Sequence, residues 1–159
     1  KVKACRHALQ FVQPHDTIFV DCGTTLANLI DLLPNEMPLT VVCYALNIAE
    51  KVIRKPQQKL VLIGGEFHPK TASFALLKDD SAFDALAITT AILSAAGLDP
   101  KLGATCSSFH EATQKRAAMA RAQRSILVID DSKIGQSSAA SFASRADFDS
   151  VVTESGFLS

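Results

Sequence analysis

The segment Asp21-Cys22-Gly23-Thr24-Thr25 has the residue types of an anion-binding turn. Gly23 lets a ligand approach the backbone closely, and Thr24 and Thr25 offer hydroxyl and amide donors. If a helix begins here, its free N–H groups and its dipole favour a phosphate. The same residues also suit an ordinary capped helix after a turn, so the segment alone leaves both interpretations open. The chain contains neither G-x-G-x-x-G nor a P-loop, the usual motifs of dinucleotide binding and nucleotide hydrolysis.

A second candidate is the segment Asp130-Asp131-Ser132-Lys133-Ile134-Gly135, in which Lys133 could supply a positive charge to the same anion. Lysines in loops are usually solvated, and Asp-Ser pairs are common in turns. Small residues recur at Gly64-Gly65, at Ser94-Ala95-Ala96-Gly97 and at Gly103-Ala104-Thr105. They either leave room for a ligand or form tight turns.

Cysteine and histidine spacing argues against a metal site. Cys5, Cys22, Cys43 and Cys106 include no C-x-x-C pair, so we expect small buried thiols in a reduced cytoplasm. His7, His15, His68 and His110 are dispersed, and His110-Glu111 lacks the second histidine of a helical zinc motif. We predict surface or structural histidines, no metal and no cofactor.

Hydrophobic patterning predicts the elements that position these segments. Six strands are expected at residues 17–21, 39–43, 59–63, 87–94, 125–130 and 150–153, with about five helices between them. Four of the helices are placed at residues 1–12, 25–33, 46–54 and 109–123; residues 66–84 are less regular, and 137–144 form an unassigned Ser/Ala-rich surface segment. The strands are nearly continuous apolar runs, typical of a sheet covered on both faces. We therefore predict one α/β domain with an open, mostly parallel, doubly wound sheet, whose strand carboxyl ends gather the candidate segments.

Composition narrows the class of protein. The 159 residues are 48% hydrophobic, with 16 basic and 16 acidic side chains. This argues for one globular domain and against disorder or a domain that neutralises nucleic-acid phosphates. No apolar run is long enough to cross a bilayer. The start, Lys1-Val2-Lys3-Ala4, has neither an initiator Met nor a signal-peptide pattern, and we expect a fragment of a longer protein.

In order along the chain, seven segments resemble the C-terminal sensor domain of DeoR-type bacterial transcriptional repressors. They are residues 21–25, 42–49, 64–65, 94–99, 103–105, 115–119 and 130–135. The resemblance implies a fold similar to ribose-5-phosphate isomerase and other sugar-phosphate isomerases. It also implies a phosphorylated sugar as effector, with deoxyribose 5-phosphate favoured, and a homo-oligomer. Operator DNA would be bound by an N-terminal winged helix-turn-helix domain that residues 1–159 do not include.

The resemblance also implies roles for individual residues. Gly23, Thr24 and Thr25 would hold the phosphate, and Lys133 would add its charge. The sugar end of the pocket would be lined by Asp21, Tyr44, Asn47, Gly64, Gly65, Ala95, Gly97, Gly103 and Lys115. Cys43-Tyr44 stands where the family usually has Thr-Asn, so the wall near Tyr44 is expected to be particular to this ligand.

An isomerase-like fold raises the alternative of an enzyme that interconverts aldose and ketose phosphates. Such a reaction needs a carboxylate base near the sugar C2. Ser94-Ala95-Ala96-Gly97 has no titratable side chain where these isomerases carry acids, and Lys115 aligns with their base, although Glu111 lies one turn earlier and competes. We therefore expect a sensor, not an enzyme, whose effector lowers operator affinity by linkage. A ligand-free assembly module is the third interpretation.

Overall fold

Twelve strands are present in the computed structural model, which describes residues 1–158. In chain order they are β1 (Thr17–Val20), β2 (Leu39–Cys43), β3 (Gln58–Leu62), β4 (Glu66–His68), β5 (Ser73–Ala75), β6 (Ile88–Leu93), β7 (Gly97–Asp99), β8 (Gly103–Cys106), β9 (Ala122–Val128), β10 (Ala140–Ala143), β11 (Ser150–Thr153) and β12 (Gly156–Leu158). Seven of them form the central sheet, in the order β12-β11-β9-β6-β1-β2-β3. Every neighbouring pair in it is parallel except β11 and β12. The predicted open, mostly parallel sheet is confirmed.

Helices cover both faces of the central sheet. Helices α1 (Val2–Ala8), α2 (Thr24–Leu32) and α3 (Leu46–Val52) pack with Ile18 and Val20 on one face. Helix α4 (Phe109–Arg121) packs with Phe19 on the other. Because β1 buries side chains on both sides, its sequence is a continuous apolar run. None of the helices within residues 1–158 is long and apolar enough to cross a membrane.

Two smaller sheets occupy segments whose structure the sequence left open. The irregular stretch 66–84 contains the β4–β5 hairpin and a 3₁₀ turn, Asp80–Phe83. The unassigned segment 137–144 contains β10, which pairs with β8 and, through it, with β7. Serine and alanine have weak strand preference, so β10 depends on this pairing and on the burial of Phe142.

All four placed helices end earlier than expected, α2 by one residue, at Leu32. Helix α1 stops at Ala8 and continues as a 3₁₀ turn, Leu9–Phe11, while α3 stops at Val52. Helix α4 ends at Arg121 because Ala122 already pairs with Ile88 as the start of β9. Tertiary pairing overrides helix preference at that boundary.

Candidate functional site

A cavity of about 450 Å³ opens at the carboxyl ends of the parallel strands, the edge where α/β sheets bind ligands. It is lined by Lys1, Cys22, Gly23, Thr24, Thr25, Asn47, Lys70, Thr71, Ala72, Ser94, Ala95, Ala96, Cys106, Ser107, Glu111, Lys115, Asp130 and Lys133. The segments that follow β1, β6 and β9 therefore meet at one site, as the predicted topology requires.

The N-terminus of α2 forms one wall of this cavity. Helix α2 begins at Thr24, one residue earlier than predicted, with Gly23 as its N-cap and no capping side chain. The first N–H groups of a helix have no partner inside it and are therefore available to an anion. A side chain at Gly23 would bring its Cβ to 2.6 Å from Ser94 Oγ. Glycine is therefore required for the ends of β1 and β6 to approach this closely.

Lysine side chains add positive charge around this helix terminus. Lys133 is half-buried in the 3₁₀ turn Asp131–Lys133, and Lys70 is exposed on the turn of the β4–β5 hairpin. Within residues 1–158, the Lys133 ammonium makes no hydrogen bond or ion pair. Asp130 lines the same cavity and partly offsets these charges. An uncapped helix N-terminus beside lysines is suited to one phosphate group.

A buried ion pair lies beneath the cavity. Lys115, from α4, donates to the Asp21 carboxylate and, at 2.8 Å, to the Ser94 carbonyl. The Asp21 carboxylate also accepts from the Tyr44 hydroxyl, from the Ser94 amide at 2.9 Å and hydroxyl at 2.8 Å, and from the Cys22 amide at 2.7 Å. Asp21 is 0% exposed and Lys115 is 1% exposed. This network connects the ends of β1, β2 and β6 to α4.

Protonation of the pair follows from these contacts. Burial by itself would raise the pKa of Asp21, but the charge and hydrogen bond of Lys115, with those of Tyr44 and Ser94, hold that pKa below its ordinary value. Burial would likewise lower the pKa of Lys115, whereas the charge of Asp21 raises it above its usual range. Both groups are charged at neutral pH, and Lys115 is not a free amine.

Two hydrogen-bond acceptors on the helices of the cavity wall lack strong donors. The Asn47 side-chain oxygen is buried without a partner among residues 1–158. Glu111, one turn before Lys115 on α4, is 5% exposed. Burial raises the pKa of the Glu111 carboxyl above its ordinary value, and Asp21 adds to this rise, while Lys115 and the Cys22 thiol oppose it. Acceptors of this kind suit the hydroxyl groups of a ligand.

The structure brings together some of the sequence-predicted site residues and separates others. Gly23, Thr24, Thr25, Lys133, Asn47, Ala95 and Lys115 line the cavity. Asp21 and Tyr44 lie directly beneath it in the buried network.

Four predicted glycines lie outside the wall of this cavity. Gly64 and Gly65 are exposed at the end of β3, whereas Gly97 and Gly103 are buried in the three-stranded sheet. A Cβ at Gly97 would come within 2.2 Å of the Gln136 carbonyl oxygen. At Gly103, where φ is +76°, it would come as close to the carbonyl oxygen of Ala143. These two glycines allow close backbone packing.

Several lining residues were absent from the sequence prediction. Lys70, Thr71 and Ala72 form the turn of the hairpin, and Ser107 precedes α4. The Pro69-Lys70 pair between two short runs, residues 66–68 and 73–75, is the sequence signal that could have indicated this turn. Glu111 carries a second signal, since the i, i+4 spacing to Lys115 places both side chains on one helix face.

The cysteines are all free thiols, and three of the four are buried, with Cys22 half-buried at the cavity. Burial raises the pKa of Cys5 and of Cys43 to about 11, so both are protonated at neutral pH. Within the part of the chain that the structure describes, no three His, Cys, Asp or Glu side chains are grouped as metal ligands.

Comparison with known proteins identifies sequence relatives. The family model of the DeoR C terminal sensor domain matches residues 1–155. The chain is 38% identical over 154 residues to the deoxyribose operon repressor of Escherichia coli (strain K12), covering 97% of this chain and 61% of that protein. It is 30% identical over 143 residues to the HTH-type transcriptional regulator IolR of Bacillus subtilis (strain 168), covering 90% and 57%. The chain thus spans about three fifths of the length of these curated relatives.

Solved structures with little sequence identity share the fold. Ribose 5-phosphate isomerase A from Methanocaldococcus jannaschii aligns with a TM-score of 0.61 and 16% identity, over 84% of this chain and 52% of that one. The eIF2B-beta2-delta2 complex from C. thermophilum aligns with a TM-score of 0.70 and 9% identity, over 99% and 54%. The predicted isomerase-like fold is confirmed, and at these identities the likeness concerns the fold alone.

Proposed function

Because this chain belongs to the DeoR family of C-terminal sensor domains, we propose that it binds a phosphorylated sugar and thereby regulates a repressor of sugar metabolism. Deoxyribose 5-phosphate is the favoured effector, since a relative at 38% identity is a deoxyribose operon repressor. The sensor works in the cytoplasm as part of a homo-oligomer. It is joined in the longer protein to a winged helix-turn-helix domain that binds operator DNA.

One observation carries this proposal: a single cavity combines donors for a phosphate with acceptors for hydroxyl groups. The donors are the first amides of α2 and the ammonium of Lys133. The acceptors are the oxygens of Asn47 and Glu111. A phosphorylated sugar has the complementary pattern, with an anion at one end and hydroxyl donors along the rest.

Regulation follows from linkage. If the effector binds more tightly to the conformation with weak operator affinity, it must lower operator affinity by the same coupling factor. In this proposal, Thr24, Thr25 and Lys133 make the contacts with the effector that differ between the two conformations. The central sheet transmits the resulting conformational change.

Thr24→Val is expected to weaken deoxyribose 5-phosphate binding by about three- to tenfold, the equivalent of one hydrogen bond. Valine removes the hydroxyl and preserves the side-chain volume, while the amides of α2 remain. Isothermal titration calorimetry on the wild type and the variant measures the ratio of dissociation constants.

Thr113→Val is the matched control, because Thr113 is exposed on α4 and its hydroxyl donates only to the Phe109 carbonyl of its own helix. It should bind like the wild type. If Thr24→Val and the wild type bind with equal affinity, the Thr24 hydroxyl does not contact the ligand. A wild-type chain that binds no phosphorylated sugar would favour the assembly module.

Glu111 is the specific observation in favour of the second candidate, a sugar-phosphate isomerase. It supplies a carboxyl group with a raised pKa at the cavity, as a general base requires. Asp21 cannot assist, since its carboxylate accepts five hydrogen bonds. Lys115, held as an ammonium by Asp21, cannot attack a sugar aldehyde.

We expect no conversion of ribose 5-phosphate to its ketose at enzyme-like rates. A coupled or NMR assay with the purified chain at micromolar concentration checks this. A turnover number near the usual enzyme range of about 1–1000 per second would contradict the sensor, provided that Glu111→Gln abolishes it.

A further inference from the structure

Glu111 is the buried carboxyl group of the cavity that the ion pair beneath it does not use. It lies in the first turns of α4, is 5% exposed and lines the cavity one helical turn before Lys115. The Lys115 ammonium has the charge to pair with Glu111, but it donates instead to Asp21 and to the Ser94 carbonyl.

The difference between the two carboxyl groups is one of hydrogen bonding. Asp21 accepts from Lys115, Tyr44, Ser94 and Cys22. Among residues 1–158, Glu111 has no hydrogen bond of this kind, and only the Cys22 thiol, a weak donor, acts on its pKa as one. The Glu111 carboxylate faces the open cavity, so its acceptor capacity is available to whatever fills the cavity.

We propose that Glu111 is the specificity-determining residue of the site: its carboxylate accepts hydrogen bonds from sugar hydroxyls and makes the cavity prefer a hydroxylated phosphate ester to bare phosphate. The inference rests on the proposed phosphosugar function and assigns ligand discrimination to one of its acceptors. A hydroxyl is the donor that this carboxylate needs. Sites that bind a ligand hydroxyl in this way discriminate strongly against ligands that lack it.

Protonation should modulate this contact. The titratable groups that face Glu111 are Lys115 on α4, Asp21 and Cys22 at the end of β1, Tyr44 at the end of β2 and Cys106 at the end of β8. Because the ionised carboxylate is the stronger acceptor, sugar affinity is complete above the raised pKa of Glu111 and declines as the pH falls through it. The ligand phosphate also titrates, near pH 6, but does so equally in every variant.

The experiment compares two variants with two probes, deoxyribose 5-phosphate and inorganic phosphate. Glu111→Met removes the acceptor and is expected to weaken sugar-phosphate binding by at least about tenfold, and Glu111→Gln, which keeps a neutral acceptor, by about threefold. Neither should change the affinity for inorganic phosphate by more than about twofold. Glu50→Met, on the exposed side of α3, is the matched control and should behave like the wild type.

The outcomes separate the inference from the function on which it rests. If wild type binds deoxyribose 5-phosphate and Glu111→Met binds it equally well, the role of Glu111 is overturned and the sensor survives. The same holds if both probes weaken in parallel, since Glu111 would then act on the phosphate or the fold. If the wild type binds no phosphorylated sugar, the proposed function itself fails. Urea unfolding midpoints show whether a variant is destabilised. If Glu111→Met is destabilised, the affinities of Glu111→Gln for the two probes test the proposal instead.

Discussion

Replacing Lys115 by methionine is expected to lower the free energy of unfolding by about 3–5 kcal/mol at neutral pH. The side chain is 1% exposed, and its ammonium neutralises the fully buried Asp21. Methionine fills much of the same volume but leaves a carboxylate without its counter-charge. Urea unfolding, followed by circular dichroism, measures the loss.

The pH dependence of this effect has a definite sign. In the wild type the pKa of Asp21 is lowered by Lys115, so the stabilisation is complete above the ordinary carboxyl value of about 3.9 and is lost as the pH falls through the lower folded value. In Lys115→Met the counter-charge is absent, so burial raises the pKa of Asp21. The deficit of the variant should therefore shrink when unfolding is repeated at about pH 4.

Two comparisons make the prediction specific. The double variant Asp21→Asn/Lys115→Met should lose less stability than the two single variants added together, because each single change leaves an unpaired buried charge. Lys51→Met, at the exposed Lys51–Asp31 ion pair of 2.6 Å, should cost less than about 1 kcal/mol. Additive single effects, or a cost at Lys115 as small as at Lys51, would contradict the role of the pair.

Lys133→Ala should weaken deoxyribose 5-phosphate binding by about 10- to 100-fold, the largest effect that we expect on affinity. Hydrogen bonds to charged groups contribute about 1.5–3 kcal/mol, and 1.4 kcal/mol corresponds to a tenfold change. Because Lys133 is half-buried and makes no ion pair within residues 1–158, its removal should leave stability nearly unchanged. Calorimetry at two salt concentrations measures affinity and its electrostatic part.

Lys3→Ala is the matched control, since it removes the same charge from the exposed side of α1, outside the cavity wall. It should bind deoxyribose 5-phosphate within about twofold of the wild type. If Lys3→Ala and Lys133→Ala weaken binding equally, the lysine acts through net charge and not through contact with the phosphate.

The parallel core of the fold was predictable from the sequence, because strands covered on both faces are runs of apolar residues. Residues 39–43 and 150–153 have the same bounds in the structure. Strand β10 was not predictable, since its Ser/Ala-rich sequence has only weak strand preference and its pairing partner β8 lies more than thirty residues earlier. The hairpin strands β4 and β5 are too short to show a period.

The candidate site divides in a similar way. Gly23-Thr24-Thr25 and Lys133 follow strands, so topology alone gathers them at one edge of the sheet. Gly97 and Gly103 were expected at the sugar, but a glycine that makes room for a ligand has the same sequence as one that makes room for a neighbouring carbonyl. The unused acceptor capacity of Glu111 depends on where Lys115 points, which no local pattern specifies.

The zero net charge also has a physical interpretation. With sixteen basic and sixteen acidic residues, the domain has no net positive charge to attract a polyanion. A single phosphate group, by contrast, needs only nearby donors. In the proposed site, the amides of α2 and Lys133 are these donors. A neutral domain of this kind suits the proposed binding of a single phosphate group.

The most direct test of the central claim is a titration of the isotopically labelled 159-residue chain with deoxyribose 5-phosphate, followed by amide NMR. We predict saturable shifts of the Gly23, Thr24 and Thr25 amides, with inorganic phosphate shifting the same resonances at higher concentration. Shifts that never saturate, or that saturate only for residues away from these strand ends, would contradict a phosphosugar site in this cavity.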